Sequence, residues 1–120
     1  MPSVLIVDDD PNICFLERMV LKSVDGRFTV AGEASSGEDA IRRWRDVRPD
    51  VIVLDDQLPG MRGLDVARLI LAEQPGQIII LFSAEHDTVT VVAALALGVR
   101  ACLPKTELGR LAAQLLDVSP

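Results

Sequence analysis

The sequence predicts an α/β domain, a single doubly wound five-stranded parallel sheet with helices on both faces. Three observations carry this. Residues 4–7, 51–54 and 78–82 are short runs with no polar face, as in strands buried on both sides. Strand-length segments alternate with segments of helical apolar spacing, and the pair occurs five times in 120 residues. Parallel strands joined by right-handed crossovers present all their carboxyl ends at one edge, where open α/β sheets place their ligands. At those ends the chain carries Asp8 and Asp9, Asp55, Ser83 and Lys105.

Residues 4–7 form the first strand, broken by Asp8-Asp9-Asp10-Pro11. Asp10 suits a helix N-cap, and Pro11 fits the first turn, where a missing N–H costs nothing. Ile13, Leu16 and Val20 recur at helical spacing, Phe15 and Met19 widen that stripe, and Asp25-Gly26 ends the helix. Residues 27–33 alternate loosely through Phe28, Val30 and Ala31 and make a second, less buried strand. Ser35 and Glu38 fit a capping box. Behind them Ala40, Ile41, Trp44 and Val47 share one helical face, while Arg42, Arg43, Arg45 and Arg48 form a solvated outer face. The third strand, residues 51–54, ends in Asp55-Asp56, and Pro59, Gly60 and Gly63 then impose a tight, irregular turn.

Leu64, Ala67, Leu69, Ile70 and Leu71 describe the next helix, which stops at Pro75-Gly76. Residues 77–82 are the fourth strand, ending at Ser83-Ala84. Residues 87–97 are helical, from Asp87 to a stop at Gly98. Residues 99–103 make a final short strand at an edge, because Pro104 cannot donate to a ladder. Residues 107–117 close the chain as a helix carrying Leu108, Leu111, Leu115 and Leu116.

Composition narrows the function. With 49% hydrophobic residues but only 3% aromatic and no Tyr, the core is aliphatic and the rings are too few for a base-stacking surface. A net charge of −6 argues against direct nucleic-acid contact through phosphates and suits a chain that holds a divalent cation. Cys14 and Cys102 lack metal-ligand spacing and read as buried free thiols of a reducing, cytoplasmic compartment. The first apolar run has no basic region before it and stops at Asp8, so neither a signal peptide nor a membrane span is expected.

The converging groups permit a particular chemistry. Several carboxylates at one rim raise one another's pKa unless a cation relieves them, and oxygen ligands of this kind suit Mg²⁺ with some waters retained. A metal there draws phosphoryl oxygens, Lys105 adds a point positive charge, and the Ser83 hydroxyl can donate a hydrogen bond. No glycine-rich phosphate cradle follows any strand. What remains is a carboxylate that itself accepts a phosphoryl group, and Asp55 is the candidate.

These residues resemble the receiver domain of two-component response regulators over essentially the whole chain, in the style of receivers joined to LuxR-type DNA-binding domains. The matching features are Asp8-Asp9, Asp55 with Pro59 and Gly63, Ser83-Ala84, and Lys105. The resemblance implies a flavodoxin-like strand order 2-1-3-4-5 and phosphorylation of Asp55 by a sensor histidine kinase. It also implies Mg²⁺ on Asp9, Asp55 and the Gln57 carbonyl, with Asp8 acting through a water, and Ser83 and Lys105 on the phosphoryl group. Asp56 points to the opposite face of its strand and is a bystander. Two departures stand out: Thr106 follows Lys105 where many receivers have proline, and Cys102 occupies the place of an aromatic switch on the fifth strand. His86, the only histidine, lies just beyond Ser83 without an assigned catalytic role.

Two other readings compete. Strand-then-Asp8-Asp9-Asp10 also fits the opening of haloacid-dehalogenase-like phosphohydrolases, with Asp8 as nucleophile and Asp10 as acid, but Asn12 breaks that pattern. A phosphorylation-independent protein-interaction module is the other, favoured by Cys102. The helix of residues 87–97 is expected to be a contact surface for a second copy or an effector, together with the last strand and helix. It carries Val89, Val91, Val92, Ala93, Ala94, Leu95, Ala96 and Leu97 and no charge between Thr88 and Val99. The domain is expected to span residues 1–120, alone or as the N-terminal part of a longer regulator.

Overall fold

The computed structural model describes residues 1–118 and contains the expected α/β architecture. The elements are β1 (Ser3–Val7), α1 (Pro11–Lys22), β2 (Thr29–Ala34), α2 (Gly37–Val47), β3 (Val51–Leu54), α3 (Gly63–Glu73), β4 (Ile78–Ser83), α4 (Thr88–Leu97), β5 (Ala101–Pro104) and α5 (Leu111–Val118). A 3-10 segment, Lys105–Arg110, joins β5 to α5. All pairings are parallel and the order is β2-β1-β3-β4-β5. β5 is an edge strand, as Pro104 requires.

The period of two along each strand divides the core into two layers. Leu5, Val7, Ile52, Leu54, Ile79 and Leu81 face α2, α3 and α4, where Trp44, Val66, Ile70 and Ala94 meet them. Val4, Ile6, Val51, Val53, Ile80 and Phe82 face α1 and α5, packing with Cys14, Leu21, Leu111 and Leu115. The same alternation carries past the strand ends. Asp8, Asp55 and Lys105 continue the face of Ile6, Val53 and Leu103, whereas Asp56 continues that of Leu54. Strand phase therefore brings Asp8 and Asp55 to one face and turns Asp56 to the other.

Several local expectations are corrected. On α1 the buried stripe is Cys14, Glu17 and Leu21, while Phe15, Leu16 and Met19 are exposed. Helix phase is set by Asp10, whose side chain caps the Asn12 N–H, and the stripe so selected contains an acid that a search for apolar residues skips. Ser36, not Ser35, caps α2, its Oγ accepting the Asp39 N–H at 3.1 Å. On α3 Val66 is buried and Leu69 is exposed. The last helix begins only at Leu111, because Glu107 adopts non-helical φ −113° and ψ 47° within the 3-10 segment. On α4, Thr90 and Ala94 face the core, so Ala94 is no part of the exposed surface.

The arginines of α2 do form an outer face. Arg42 pairs with Asp39, Arg45 Nη2 lies 2.8 Å from Glu73 Oε1, and Arg48 stacks 4.9 Å from the Trp44 ring centroid. Beneath them Trp44 Nε1 donates to Gln77 Oε1 at 2.9 Å, and Gln77 Nε2 reaches the Pro49 and Asp50 carbonyls. This network ties α2 to the ends of β3 and β4 opposite the acidic rim. Among the described residues no helix is long and apolar enough to cross a membrane.

Candidate functional site

Carboxylate oxygens of Asp8, Asp9 and Asp55 lie within 4.8 Å of one another. Asp8 and Asp55 are buried and Asp9 is exposed, so the cluster is walled by protein on one side and open to water on the other. Each acid has a local reason to be there. Asp8 and Asp55 prolong β1 and β3, whose pairing continues through Asp55 N–H to the Val7 carbonyl at 2.9 Å. Asp8 Oδ1 accepts the Asp10 N–H at 2.9 Å, bending the chain into α1.

Lys105 closes the cluster from the end of β5. Its Nζ donates to Asp55 Oδ2 at 3.0 Å. It also lies 2.7 Å from Asp8 Oδ2, an ion-pair contact outside hydrogen-bond geometry. Burial disfavours the ammonium, but the two carboxylates of Asp8 and Asp55 outweigh it and hold Lys105 above the ordinary lysine pKa. Burial pushes Asp55 upward, with Asp8 adding to the shift and the Lys105 bond opposing it. Gln57 is tied into the site by its N–H, which donates to Asp55 Oδ1 at 3.2 Å. Ser83 ends β4, the strand between β3 and β5; it is buried, and its Oγ accepts the Glu85 N–H at 3.3 Å. His86 is exposed in the same loop.

The donor set fits a hard divalent cation. It offers three carboxylates, one facing solvent, and a buried Asp8 oxygen that accepts no hydrogen bond. A cleft of about 330 Å³ adjoins Asp8 and Asp9 on the side of Cys14, Glu33 and Arg43.

Asp56 lies apart from the acidic cluster, as its strand phase requires, but it has a structural task. Fully buried, it pairs with Arg62 and accepts the Leu64 N–H at 3.1 Å, while its carbonyl takes the Gly63 N–H at 2.8 Å. These bonds fold the β3–α3 loop back onto the end of β3. Gly63 is required there: a Cβ would stand 2.7 Å from Asp56 Cα and closer still to the Asp55 carbonyl oxygen.

Cys14 is the buried free thiol that the sequence predicts, whereas Glu17 escaped the sequence. Cys14 Sγ contacts the Asp8 carbonyl at 3.5 Å, and burial first, then nearby acids, pushes its thiol up to about 12, which makes it unreactive. Glu17 is 1% exposed with neither carboxylate oxygen hydrogen-bonded. Burial first, then the charge of Asp8, pushes its pKa up to about 9. The signal for Glu17 was present, since Cys14, Glu17 and Leu21 fall at i, i+3 and i+7 on one helix face.

The family model for the response regulator receiver domain matches residues 4–116. A DNA-binding response regulator, MtrA, of Mycolicibacterium smegmatis is 39% identical over 95 residues, which are 79% of this chain and 40% of that protein. A protein-glutamate methylesterase/protein-glutamine glutaminase of Hahella chejuensis is 39% identical over 106 residues, 87% of this chain and 30% of that protein. The chain thus spans well under half the length of these curated relatives. The receiver domain of a putative response regulator NarL from Mycobacterium tuberculosis superposes with a TM-score of 0.88 at 30% identity, over 97% of this chain and 94% of that one. Relatives named as DNA-binding response regulators leave the expectation of no nucleic-acid contact, drawn from acidity, without support. Sequence match, strand order and superposition agree: the chain belongs to the response regulator receiver domain family of two-component systems.

Proposed function

We propose that this domain accepts a phosphoryl group on Asp55 from a phosphorylated histidine of a sensor kinase, and thereby switches a protein-interaction surface. The observation that carries this reading is the hydrogen bond from Lys105 to a buried Asp55 within 4.8 Å of two further carboxylates. In the transfer an Asp55 oxygen attacks phosphorus, a P–O bond forms, and the P–N bond to imidazole breaks with its electron pair returning to nitrogen. Lys105 holds the nucleophile and meets the charge that grows on the phosphoryl oxygens. Ser83 supplies a hydroxyl donor from the neighbouring strand end. Asp9, Asp55 and the Gln57 carbonyl would hold Mg²⁺, with Asp8 behind a water, and the ion would neutralise charge during transfer. The domain catalyses only its own phosphorylation and dephosphorylation, within residues 1–120, as a cytoplasmic domain standing alone or as the N-terminal part of a longer regulator.

The test is phosphorylation by acetyl phosphate with Mg²⁺, read as an acid-stable, base-labile mass increase. Asp55→Asn and chelation should each abolish it. Labelling of the Asn variant anywhere but the adjacent Asp56 overturns the assignment.

A second reading has one specific observation behind it. Cys102, half-buried against Leu81 on β5, offers little volume to move between states, which favours a module that binds partners without phosphorylation. An unmodified chain and an Asp55→Asn variant with equal partner binding would establish it.

A further inference from the structure

Glu17 is a buried acid near the site that the proposed chemistry leaves unused and that, unlike Asp56, no hydrogen bond satisfies among the described residues. It is held inside α1's core-facing stripe between Cys14 and Leu21, where an apolar side chain would pack without penalty. Both its oxygens are sealed from water and neither has a hydrogen-bond partner, so it is carried as the neutral acid near pH 7. A buried polar group left unsatisfied needs an explanation, and such departures concentrate at functional sites.

The charges acting on Glu17 come from each element around it. Asp8 of β1 acts most strongly, Asp55 of β3 and Glu33 of β2 add to it, and Lys105 of the 3-10 segment opposes them. Glu107 and Arg110 of that segment pair with each other at 2.7 Å. On its own helix Cys14 is neutral, and Arg18 is engaged by Glu33. α5 packs against α1 through the cluster containing Leu111 and Leu115. Burial is thus the first influence on Glu17, and among its charged neighbours Asp8 of the acidic rim acts most strongly.

We propose that Glu17 is a proton reservoir coupled to the acidic site, releasing its proton when a divalent cation is bound by Asp8, Asp9 and Asp55. This rests on the reading of that site as a cation site. Burial keeps Glu17 neutral and the repulsion from Asp8 adds to it; a dipositive charge beyond Asp8 cancels that repulsion, so the carboxylate is less disfavoured and cation binding becomes proton-linked. The sign is fixed. Raising the pH strengthens cation binding between about pH 7 and 9 in the parent, and the neutral, isosteric Glu17→Gln variant lacks that increment.

Calorimetric titration of the whole chain with MgCl₂ near pH 8, in two buffers of different ionisation enthalpy, counts the protons released. The parent should release up to one more proton per cation than Glu17→Gln and Glu17→Leu, the two variants agreeing with each other. Equal proton release in parent and variants, with binding intact in all three, overturns the role of Glu17 and leaves the cation site standing. Absence of binding in all three overturns the cation site and this proposal together.

Discussion

Lys105 Nζ donates a 3.0 Å hydrogen bond to Asp55 Oδ2, although 50 residues separate them in sequence. Asp55 is buried at the end of a central strand, and Lys105 is delivered from the edge strand β5 across β4. The bond opposes the burial that raises the Asp55 pKa. Removing the ammonium in Lys105→Met should therefore raise the pH at which Asp55 ionises. A hydrogen bond to a charged group supplies about 1.5–3 kcal/mol, and that stabilisation of the carboxylate is lost with the ammonium. Carbon-detected NMR titration of the Asp55 carboxyl without added cation measures it, and an unchanged midpoint would show that the bond does not hold the carboxylate.

Gly63 makes a second prediction, about positioning rather than charge. Its backbone crosses the end of β3 so closely that a methyl group would collide with Asp55 and Asp56 main chain. Gly63→Ala should cost about 1–3 kcal/mol through overpacking, since backbone cannot yield as a flexible side chain does. It should also slow phosphorylation by acetyl phosphate, because the displaced atoms belong to the acceptor residue. Chemical denaturation and the labelling rate test the two halves. Gly60→Ala serves as the comparison, since a Cβ there meets nothing within 4 Å and only its φ of +76° resists.

Much of this was legible in the sequence, and the parts that were not share one cause. The acids, Ser83 and Lys105 could be gathered because topology alone brings parallel strand ends together. Asp56 could be set aside because strand phase turns each successive residue over. Helix phase was harder to read. On α1 the residues Phe15, Leu16 and Met19 suggested one face, whereas the cap at Asp10 and packing on β1 selected the face with Glu17. Hydropathy patterns assume that buried means apolar, and a buried acid defeats them. The clamp of Arg62 on Asp56 was equally hidden, since it depends on how the irregular loop between β3 and α3 folds back.

Glu17 also predicts a pH dependence of stability. Its folded pKa, about 9, lies above the ordinary glutamate value of 4.5, so the folded chain keeps a proton that the unfolded chain releases. Stability must then fall as pH rises between about 4.5 and 9. At about 1.4 kcal/mol per pH unit, the loss attributable to Glu17 from pH 5 to 7 is on the order of 3 kcal/mol. Glu17→Gln should remove this slope. Urea unfolding of parent and variant at both pH values measures it, and parallel curves would contradict a neutral, desolvated Glu17.

The exposed side of α4 predicts association without loss of folding. Val89, Val92 and Leu95 are 79%, 59% and 51% exposed, and the whole helix is uncharged. Val92→Glu and Leu95→Glu should change stability by no more than about 0.5 kcal/mol. Both should weaken any partner or self-association that phosphorylation induces, as read by sedimentation with a phosphoryl mimic. Ala94→Glu is the opposite control, because Ala94 is fully buried and its substitution should unfold the domain. Equal association in parent and both surface variants would exclude this face.

Ser83 gives the final prediction, about how the site speaks to α4. Its Oγ now accepts the Glu85 N–H at 3.3 Å, which ties the β4–α4 loop to the end of β4. Two residues further, Asp87 caps α4 by accepting the Thr90 N–H at 2.8 Å, and those bonds hold its carboxyl below the usual range. A Ser83 hydroxyl drawn toward a phosphoryl group on Asp55 would turn away from Glu85 and release the segment before this cap. Cys102 contributes little to such a change: it is small, only partly buried, and bound to no neighbour that a rotation would exchange. With a phosphoryl mimic bound, hydrogen exchange should rise at residues 84–88 in the parent and in Cys102→Ala, and stay unchanged in Ser83→Ala. A response lost in Cys102→Ala and kept in Ser83→Ala would assign the signal to β5 instead.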